Sequence, residues 1–476
     1  MKNLPGHHTK IVCTIGPASD PPRILEAMIR RGMTVARLNL SHGTPSEHRE
    51  RVGRIRAASE KTGRRVAILA DLPGPKIRIG TLSAPMTLRR GEVLLLSRDG
   101  PTANGERVIP LELPPLLRPL SPGDRVFLSD GSIALRVASS APGGLRCRVM
   151  TGGVLLSRKG VNIPGLLPGG GAFTPQDRSL LAFALECGVD GVGVSFVETA
   201  EDLDAVQREA RRLGHDPFLV AKIERKRAVG NIDTLLDRAD AIMIARGDLG
   251  VEVPIERIAL LQKHLVRKAV AAGKPVITAT QMLESMVHSP RPTRAEATDV
   301  ANAVIDGSDA VMLSEETAMG DDPVAAVAML SRIARATERS VHGMGSGALR
   351  PPGASSTGEE VLAWGVRAMA EQISPRFIVA PTESGATASR IARFRLLPWI
   401  LALSPSERVC RKLTLSRGIH PVRVERGNGD WGGIARRLLA EAGVISGVIL
   451  LTRGPGPEAP GESNRLEILR LEAPEG

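Results

Sequence analysis

An α/β architecture is expected from this chain: a (β/α)₈ barrel with an inserted small all-β lid domain and a C-terminal α/β domain. Three observations lead there. Up to residue 342, short apolar runs that suit buried parallel strands alternate with helical stretches, eight of each. The rhythm breaks once, from about Ile79 to Lys159, into short alternating strands between glycine-containing turns. A stretch rich in Gly, Pro and Ser, Gly343–Thr357, then precedes a second α/β series. The barrel is expected over 1–78 and 160–342, the lid over 79–159 and the last domain over 358–476.

Lys10–Ile15 is the first strand, ended by Gly16-Pro17, and Pro21–Gly32 is a helix with Pro at its start and Gly at its stop. The strand Thr34–Leu40 follows, and its tail sets Arg37, Asn39 and Ser41 on one side. A helix over Ser46–Thr62, capped by Ser46, leads to the strand Val66–Leu72, which ends at Asp71. The insertion shows turns at Arg90-Gly91, Asp99-Gly100, Pro122-Gly123-Asp124, Asp130-Gly131 and Gly143-Gly144. Strands resume at Gly191–Phe196, Phe218–Ile223, Ala241–Ala245, Pro275–Thr280 and Ala310–Leu313, with helices between them. An open doubly wound sheet is the alternative, but no G-x-G-x-x-G follows the first strand. Beyond the linker, strands at Arg376–Ala380, Trp399–Leu403, Val422–Val424 and Gly447–Leu451 alternate with helices.

A chain of 476 residues exceeds one ordinary core, and 42% hydrophobic content suits a globular protein. No apolar run is long enough for a bilayer, and Met1–Lys10 is too short and polar for a signal peptide, so no membrane partner and a cytoplasmic location are expected. Cys13, Cys147, Cys187 and Cys410 are isolated, which argues against a zinc site or a disulfide framework. Net charge is +12, but arginine is dispersed and tyrosine absent, so no nucleic acid is expected; a cleft for small anions is the other use of such charge.

Lys222 and Glu224 stand at i and i+2 near the end of a strand, so they share one site. The next strand ends in Arg246-Gly247-Asp248, a tight turn carrying another carboxylate. Oxygen ligands of this kind suit Mg²⁺, and an ammonium beside them neutralises charge on a phosphorylated acid. An isolated Lys-x-Glu is ordinarily a buried ion pair, but a barrel gathers its strand ends on one rim. That rim collects Arg37, Asn39, Ser41, Asp71, Lys222, Glu224, Asp248 and Thr280. Free N–H groups at Gly247 and Asp248 suit a substrate carboxylate.

The stretches TKIVCTIGPAS, ARLNLSHG, DLPGPKIR, KGVNIPG, VAKIERKRAVGNID, IMIARGDLGVEVP, KPVITATQMLESM and RPTRAEATDVANAV, from Thr9 onward, resemble those of the pyruvate kinase family in content and order. The resemblance implies transfer of the phosphoryl group of phosphoenolpyruvate to ADP, giving pyruvate and ATP. It implies that Glu224 and Asp248 hold Mg²⁺ (or Mn²⁺), and that Lys222 stabilises the moving phosphoryl group. Arg37 would hold the substrate phosphate, while Gly247, Asp248 and Thr280 would surround the carboxylate and enolate. Nucleotide phosphates would meet Asn39, Leu40, Ser41, His42, Arg78 and Lys159. An allosteric homotetramer is also implied, although the Thr382–Thr387 loop lacks the basic residue often found in the family's effector loop.

Two departures stand out. The family holds K⁺ with an Asn, a Ser, an Asp and a Thr carbonyl; Asn39, Ser41 and Asp71 remain, but Leu72 replaces the Thr. Lys76 replaces the Glu of G-P-E-I-R, and its ammonium is a fixed monovalent cation, so K⁺ is expected not to be required. Glu315 replaces the Gly of L-S-G-E-T-A. A Mg²⁺-dependent lyase or aldolase acting on pyruvate-like acids would use the same carboxylates, but would need neither the lid nor Arg78 and Lys159. A non-catalytic binding protein is disfavoured because no catalytic position is lost.

Overall fold

The computed structural model describes residues 4–97, 107–111, 120–129, 131–141, 143–166, 171–340, 351–353, 356–425, 430–453 and 465–471. Eight parallel strands form its centre: β1 (Lys10–Thr14), β2 (Met33–Asn39), β3 (Ala67–Asp71), β4 (Gly191–Val194), β5 (Phe218–Ile223), β6 (Ala241–Ala245), β7 (Val276–Ala279) and β8 (Ala310–Leu313). They close into a barrel in sequence order, β8 returning to β1. Alternate side chains explain why the runs are apolar throughout. Val12, Val35, Leu69, Val220, Met243, Ile277 and Met312 fill the interior, while their neighbours, such as Ile11, Ile68 and Ile242, pack under the helices. The helix after β2 starts at Pro45, ahead of the expected Ser46 cap. Thr44 and Glu47 form a reciprocal capping box there, which outcompetes the serine.

Among the described residues, the insertion after β3 forms a seven-stranded sheet and a two-stranded ribbon around their own apolar cluster. Ile77–Arg78, where the chain enters, pairs with Gly160–Asn162, where it leaves. The stem is therefore a two-stranded ribbon that belongs to the lid sheet. Its flanks are fastened to the barrel. Gly74 N–H donates to Asp177 Oδ1 at 3.0 Å; Gly165 N–H reaches Glu252 Oε2 at 3.4 Å. Arg225 pairs with Glu252 at 2.9 Å and donates to Leu166 O at 2.8 Å. The expected turns at Asp99-Gly100 and at Asp130 fall on residues outside those described.

The C-terminal domain has β9 (Phe377–Pro381), β10 (Trp399–Ser404), β11 (Ile419–Arg423), β12 (Gly447–Arg453) and β13 (Arg465–Leu471), ordered β11-β10-β9-β12-β13. Strand β11 starts three residues before the expected Val422, because Pro421 is tolerated on an edge strand. The antiparallel β13 was not expected; its charged residues interleave with apolar ones on an exposed edge. The linker Gly343–Thr357 lies mainly outside the described residues.

This domain sits against the floor of the barrel, where the strands begin. Asp190, Asp240 and Asp309 each stand one residue before a strand (β4, β6 and β8). Each accepts the backbone N–H at or near the start of the neighbouring strand: Ile68 at 2.7 Å, Leu219 at 2.9 Å and Val276 at 3.1 Å. Each also binds a cation of the C-terminal domain: Arg411 at 3.1 Å, Lys412 at 2.5 Å and Arg395 at 2.7 Å. One carboxylate thus satisfies a strand terminus and docks a domain, three times over.

Candidate active site

Asp71, at the end of β3 and 1% exposed, is the hub of the opposite rim. It lies in register with Asn39 and with Gly193, where an added Cβ would come within 3.1 Å of Asp71 Oδ1. Arg37 Nε donates to Asp71 Oδ2 at 2.7 Å, and its Nη1 donates to Thr14 Oγ1 at 2.9 Å. Lys222 Nζ lies 3.1 Å from Asp71 Oδ1 and 2.8 Å from Glu224 Oε1. The expected sharing of one site by positions 222 and 224 is what the strand produces. Burial works against the Asp71 carboxylate, but Lys222 and Arg37 outweigh it and hold its pKa below the ordinary value. Burial likewise disfavours the Lys222 ammonium, yet Asp71 and Glu224 raise its pKa above the usual range. Glu224 is pushed up, first by burial and then by the charge of Asp248.

Asp248 lies in the first turn of the short helix Arg246–Glu252, which directly follows β6. The sequence suggested a tight turn here; the structure continues it into a helix. Gly247 N–H donates to Thr280 Oγ1 at 3.0 Å, and that hydroxyl donates to Ala279 O at 2.7 Å. Thr280 has φ +69° and Gln281 φ +56°, a left-handed pair rare for side-chain-bearing residues. Arg246 holds this bend, donating to Thr280 O at 2.6 Å and pairing with Asp299 at 2.7 Å.

The outer residues are more dispersed. Asn39 Oδ1 accepts from Ser41 N–H at 3.2 Å, and Leu40 N–H donates to Asp71 O at 3.1 Å. Arg78 and Lys159 are exposed on the lid stem, Arg78 donating to Arg158 O at 3.2 Å. They do not touch the Arg37–Lys222 cluster. His42 is held below its usual pKa by burial and then by Arg78, Lys76 and Arg37, which places those charges around it. Lys76 is exposed and lines, with Asp248 and Phe196, a small cavity at the base of the lid. Glu315 is exposed, whereas Glu316 is buried and accepts from Leu283 N–H and Ser314 N–H.

Asp71 Oδ1 and Glu224 Oε1 are buried, and the charge that faces them is the Lys222 ammonium. Such oxygens suit a cation. Among the described residues no set of three acidic, His or Cys side chains surrounds one point. Mg²⁺ fits that limit, since it keeps several waters and takes one or two protein carboxylates plus substrate oxygens. Glu224 and Asp248 are therefore suitable holders.

The barrel rim, the stem-mounted lid and the floor-docked domain match one family along the chain. The model of the pyruvate kinase barrel domain matches residues 6–327, and that of the pyruvate kinase alpha/beta domain matches 360–469. The chain belongs to the pyruvate kinase family. A pyruvate kinase of Thermococcus litoralis is 47% identical over 425 residues, 88% of this chain and 89% of that one. That of Geobacillus stearothermophilus is 43% identical over 423 residues, 87% and 71% of the two chains. That of Mycobacterium intracellulare is 38% identical over 470 residues, 97% and 98%. The reaction is phosphoryl transfer from phosphoenolpyruvate to ADP, and the lyase or aldolase alternative is not favoured. Sequence reasoning had passed over Thr14, Ser195 and Arg246. Thr14 and Ser195 stand at or just beyond strand ends, the one signal that could have found them.

Proposed function

We propose that this pyruvate kinase family member carries its reaction on the C-terminal rim of the barrel, with Lys222 supplying the decisive charge. One observation supports this most: a buried ammonium, kept protonated by two carboxylates, facing the rim where substrate must sit. A loose phosphoryl transition state needs positioned positive charge rather than a covalent nucleophile. Arg37, braced by Asp71 and Thr14, holds the substrate phosphate. Mg²⁺, or Mn²⁺ in its place, would be held by Glu224 and Asp248 and would supply Lewis-acid stabilisation of phosphoryl oxygens. Gly247 and Asp248, at the start of their helix, receive the carboxylate once the Gly247 N–H, given to Thr280 Oγ1 in this structure and so not free as the sequence suggested, turns to it. As the phosphoryl group passes to ADP, an enolate remains and must gain a proton at carbon. The Thr280 hydroxyl, fixed by Gly247 and Ala279, delivers it directly or through a water and takes a proton back from solvent, so that the proton gained at carbon comes in net from water.

Asn39, Leu40, Ser41, His42, Arg78 and Lys159 form the nucleotide side, with Arg78 and Lys159 brought inward as the lid closes. K⁺ is not required in this reading, because the Lys76 ammonium replaces the Glu of G-P-E-I-R as a fixed monovalent cation near the remnant Asn39, Ser41 and Asp71 site. The assembly is an allosteric homotetramer of the cytoplasm. Among the described residues no helix is long and apolar enough to cross a membrane. The test is Lys222→Met. It is expected to fold, to lose kcat by about 10²–10³-fold, the usual cost of one transition-state charge partner, and to keep its KM for phosphoenolpyruvate within a few-fold. A raised KM at unchanged kcat would remove Lys222 from this role.

A further inference from the structure

Ser195 lies just beyond β4, between Asp71 and Lys222, and is 2% exposed. Its hydroxyl donates to Leu72 O at 2.6 Å, so its proton is committed to that carbonyl. A lone pair therefore faces Lys222, whose Nζ donates to Ser195 Oγ at 2.7 Å. Ser195 Oγ is thus a neutral acceptor of the ammonium, beside two charged ones. The contacts to Asp71 Oδ1 at 3.1 Å and Glu224 Oε1 at 2.8 Å are ion pairs that draw the ammonium toward charge. The arrangement ties the exits of β3, β4 and β5 through one hydroxyl. The backbone of Gly74 also crosses closely, where an added Cβ would stand 3.1 Å from Ser195 Cβ.

We infer that Ser195 is a positioning residue for phosphoryl transfer, fixing the Lys222 ammonium laterally against the pull of its two carboxylates. The inference rests on the role proposed above for Lys222. A neutral acceptor suits this task. It orients Nζ without cancelling its charge, and Leu72 O in turn holds the hydroxyl from a backbone position that no side-chain change at residue 72 removes. Without the hydroxyl, Nζ settles against Asp71 and Glu224, and the charge is misplaced by a fraction of an ångström from the transferring group. Misplacement of that kind lowers the chemical step more than substrate binding.

A double-mutant cycle tests this, using Ser195→Ala, Lys222→Met and the double variant in the full chain, with thermal melting of each. Ser195→Ala is expected to lower kcat by about tenfold or more and to leave the phosphoenolpyruvate KM within about threefold. The double variant is expected to be no slower than Lys222→Met alone, because the hydroxyl acts through the lysine. Ser195→Thr, which keeps the hydroxyl, is expected to retain most of kcat. Should Ser195→Ala fail to fold, Ser195→Cys keeps the size with a weaker hydrogen-bonding group and is read the same way. Losses that multiply in the double variant, or a raised KM at unchanged kcat, would overturn the inference. A fast Ser195→Ala beside a slow Lys222→Met would overturn it and leave the lysine's role standing. A fast Lys222→Met would remove both.

Discussion

Arg395 of the C-terminal domain grips Asp309 with two hydrogen bonds, at 2.8 and 2.7 Å, at the foot of β8. Both side chains are almost fully buried, at 7% and 4% exposure. Asp309 also accepts the N–H of Val276 and that of Arg417, so one carboxylate joins two barrel strands to the second domain. Removing one partner of a buried pair leaves the other charge uncompensated, typically at a cost of about 3–5 kcal/mol. Asp309→Asn is therefore expected to lower stability by about that amount in urea unfolding, with Arg395→Met costing less because it leaves Asp309 its two backbone donors.

The same region carries an acid-sensitive group of side chains. Burial, with Arg417 against His8 and Lys10 against His420, lowers both histidine pKa values to about 3. Burial raises the Glu338 carboxyl, but Arg417 and His8 overcome it and bring it down to about 2. Below about pH 6.5 the unfolded chain takes up protons that folded His8 and His420 refuse until about pH 3, so stability falls across that window. Glu338 has the same sign: its contribution is whole above its unfolded pKa and is lost as pH falls toward 2. Melting temperature measured from pH 7.5 down to 4 is expected to drop steadily, and His420→Asn is expected to flatten the upper part of the slope.

The stem of the lid predicts where motion concentrates. Gly165 and Leu166 are held by Glu252 and Arg225, and Gly74 by Asp177, so bending is confined to the short stretches between these anchors. Adding phosphoenolpyruvate with Mg-ADP is expected to slow amide exchange at the stem strands Ile77–Arg78 and Gly160–Asn162. Glu252→Gln is expected to loosen the exit hinge and to raise the KM for ADP several-fold more than that for phosphoenolpyruvate.

Independence from K⁺ is expected in a direct assay. Activity in sodium- and potassium-free buffer should match that with added KCl at constant ionic strength. Stimulation of tenfold, about 1.4 kcal/mol of transition-state stabilisation, would show that the ion is needed. Lys76→Glu is expected to create a dependence that the parent lacks.

The barrel strands were legible because each is apolar on both faces and punctuated by Gly, Pro or a polar end, so β1 to β8 fall close to where the pattern puts them. Lys222 and Glu224 were legible because strand geometry alone sends i and i+2 to one side. Ser195 was not, since a serine at the end of an apolar run carries no mark of the lysine on the neighbouring strand that it meets only after folding. The aspartates at 190, 240 and 309 were missed for the opposite reason. Each looks like ordinary loop polarity, although Val-Asp-Gly, Ala-Asp-Ala and Ser-Asp-Ala before three apolar runs form a repeat. Strand β13 escaped because its alternation of charged and apolar residues suits an edge and resembles solvated coil.

The three aspartates on the barrel floor bear on how freely such a protein can be recombined. A C-terminal domain transplanted from a relative would seat only if it brought bases at the places of Arg395, Arg411 and Lys412. A graft lacking them would take one cation from each carboxylate at the feet of β4, β6 and β8, leaving the barrel N–H donors and, at Asp190, Arg56 as partners. The two halves of the chain are thus matched at the join, beneath strands of which β4 and β6 lead into Ser195 and Asp248.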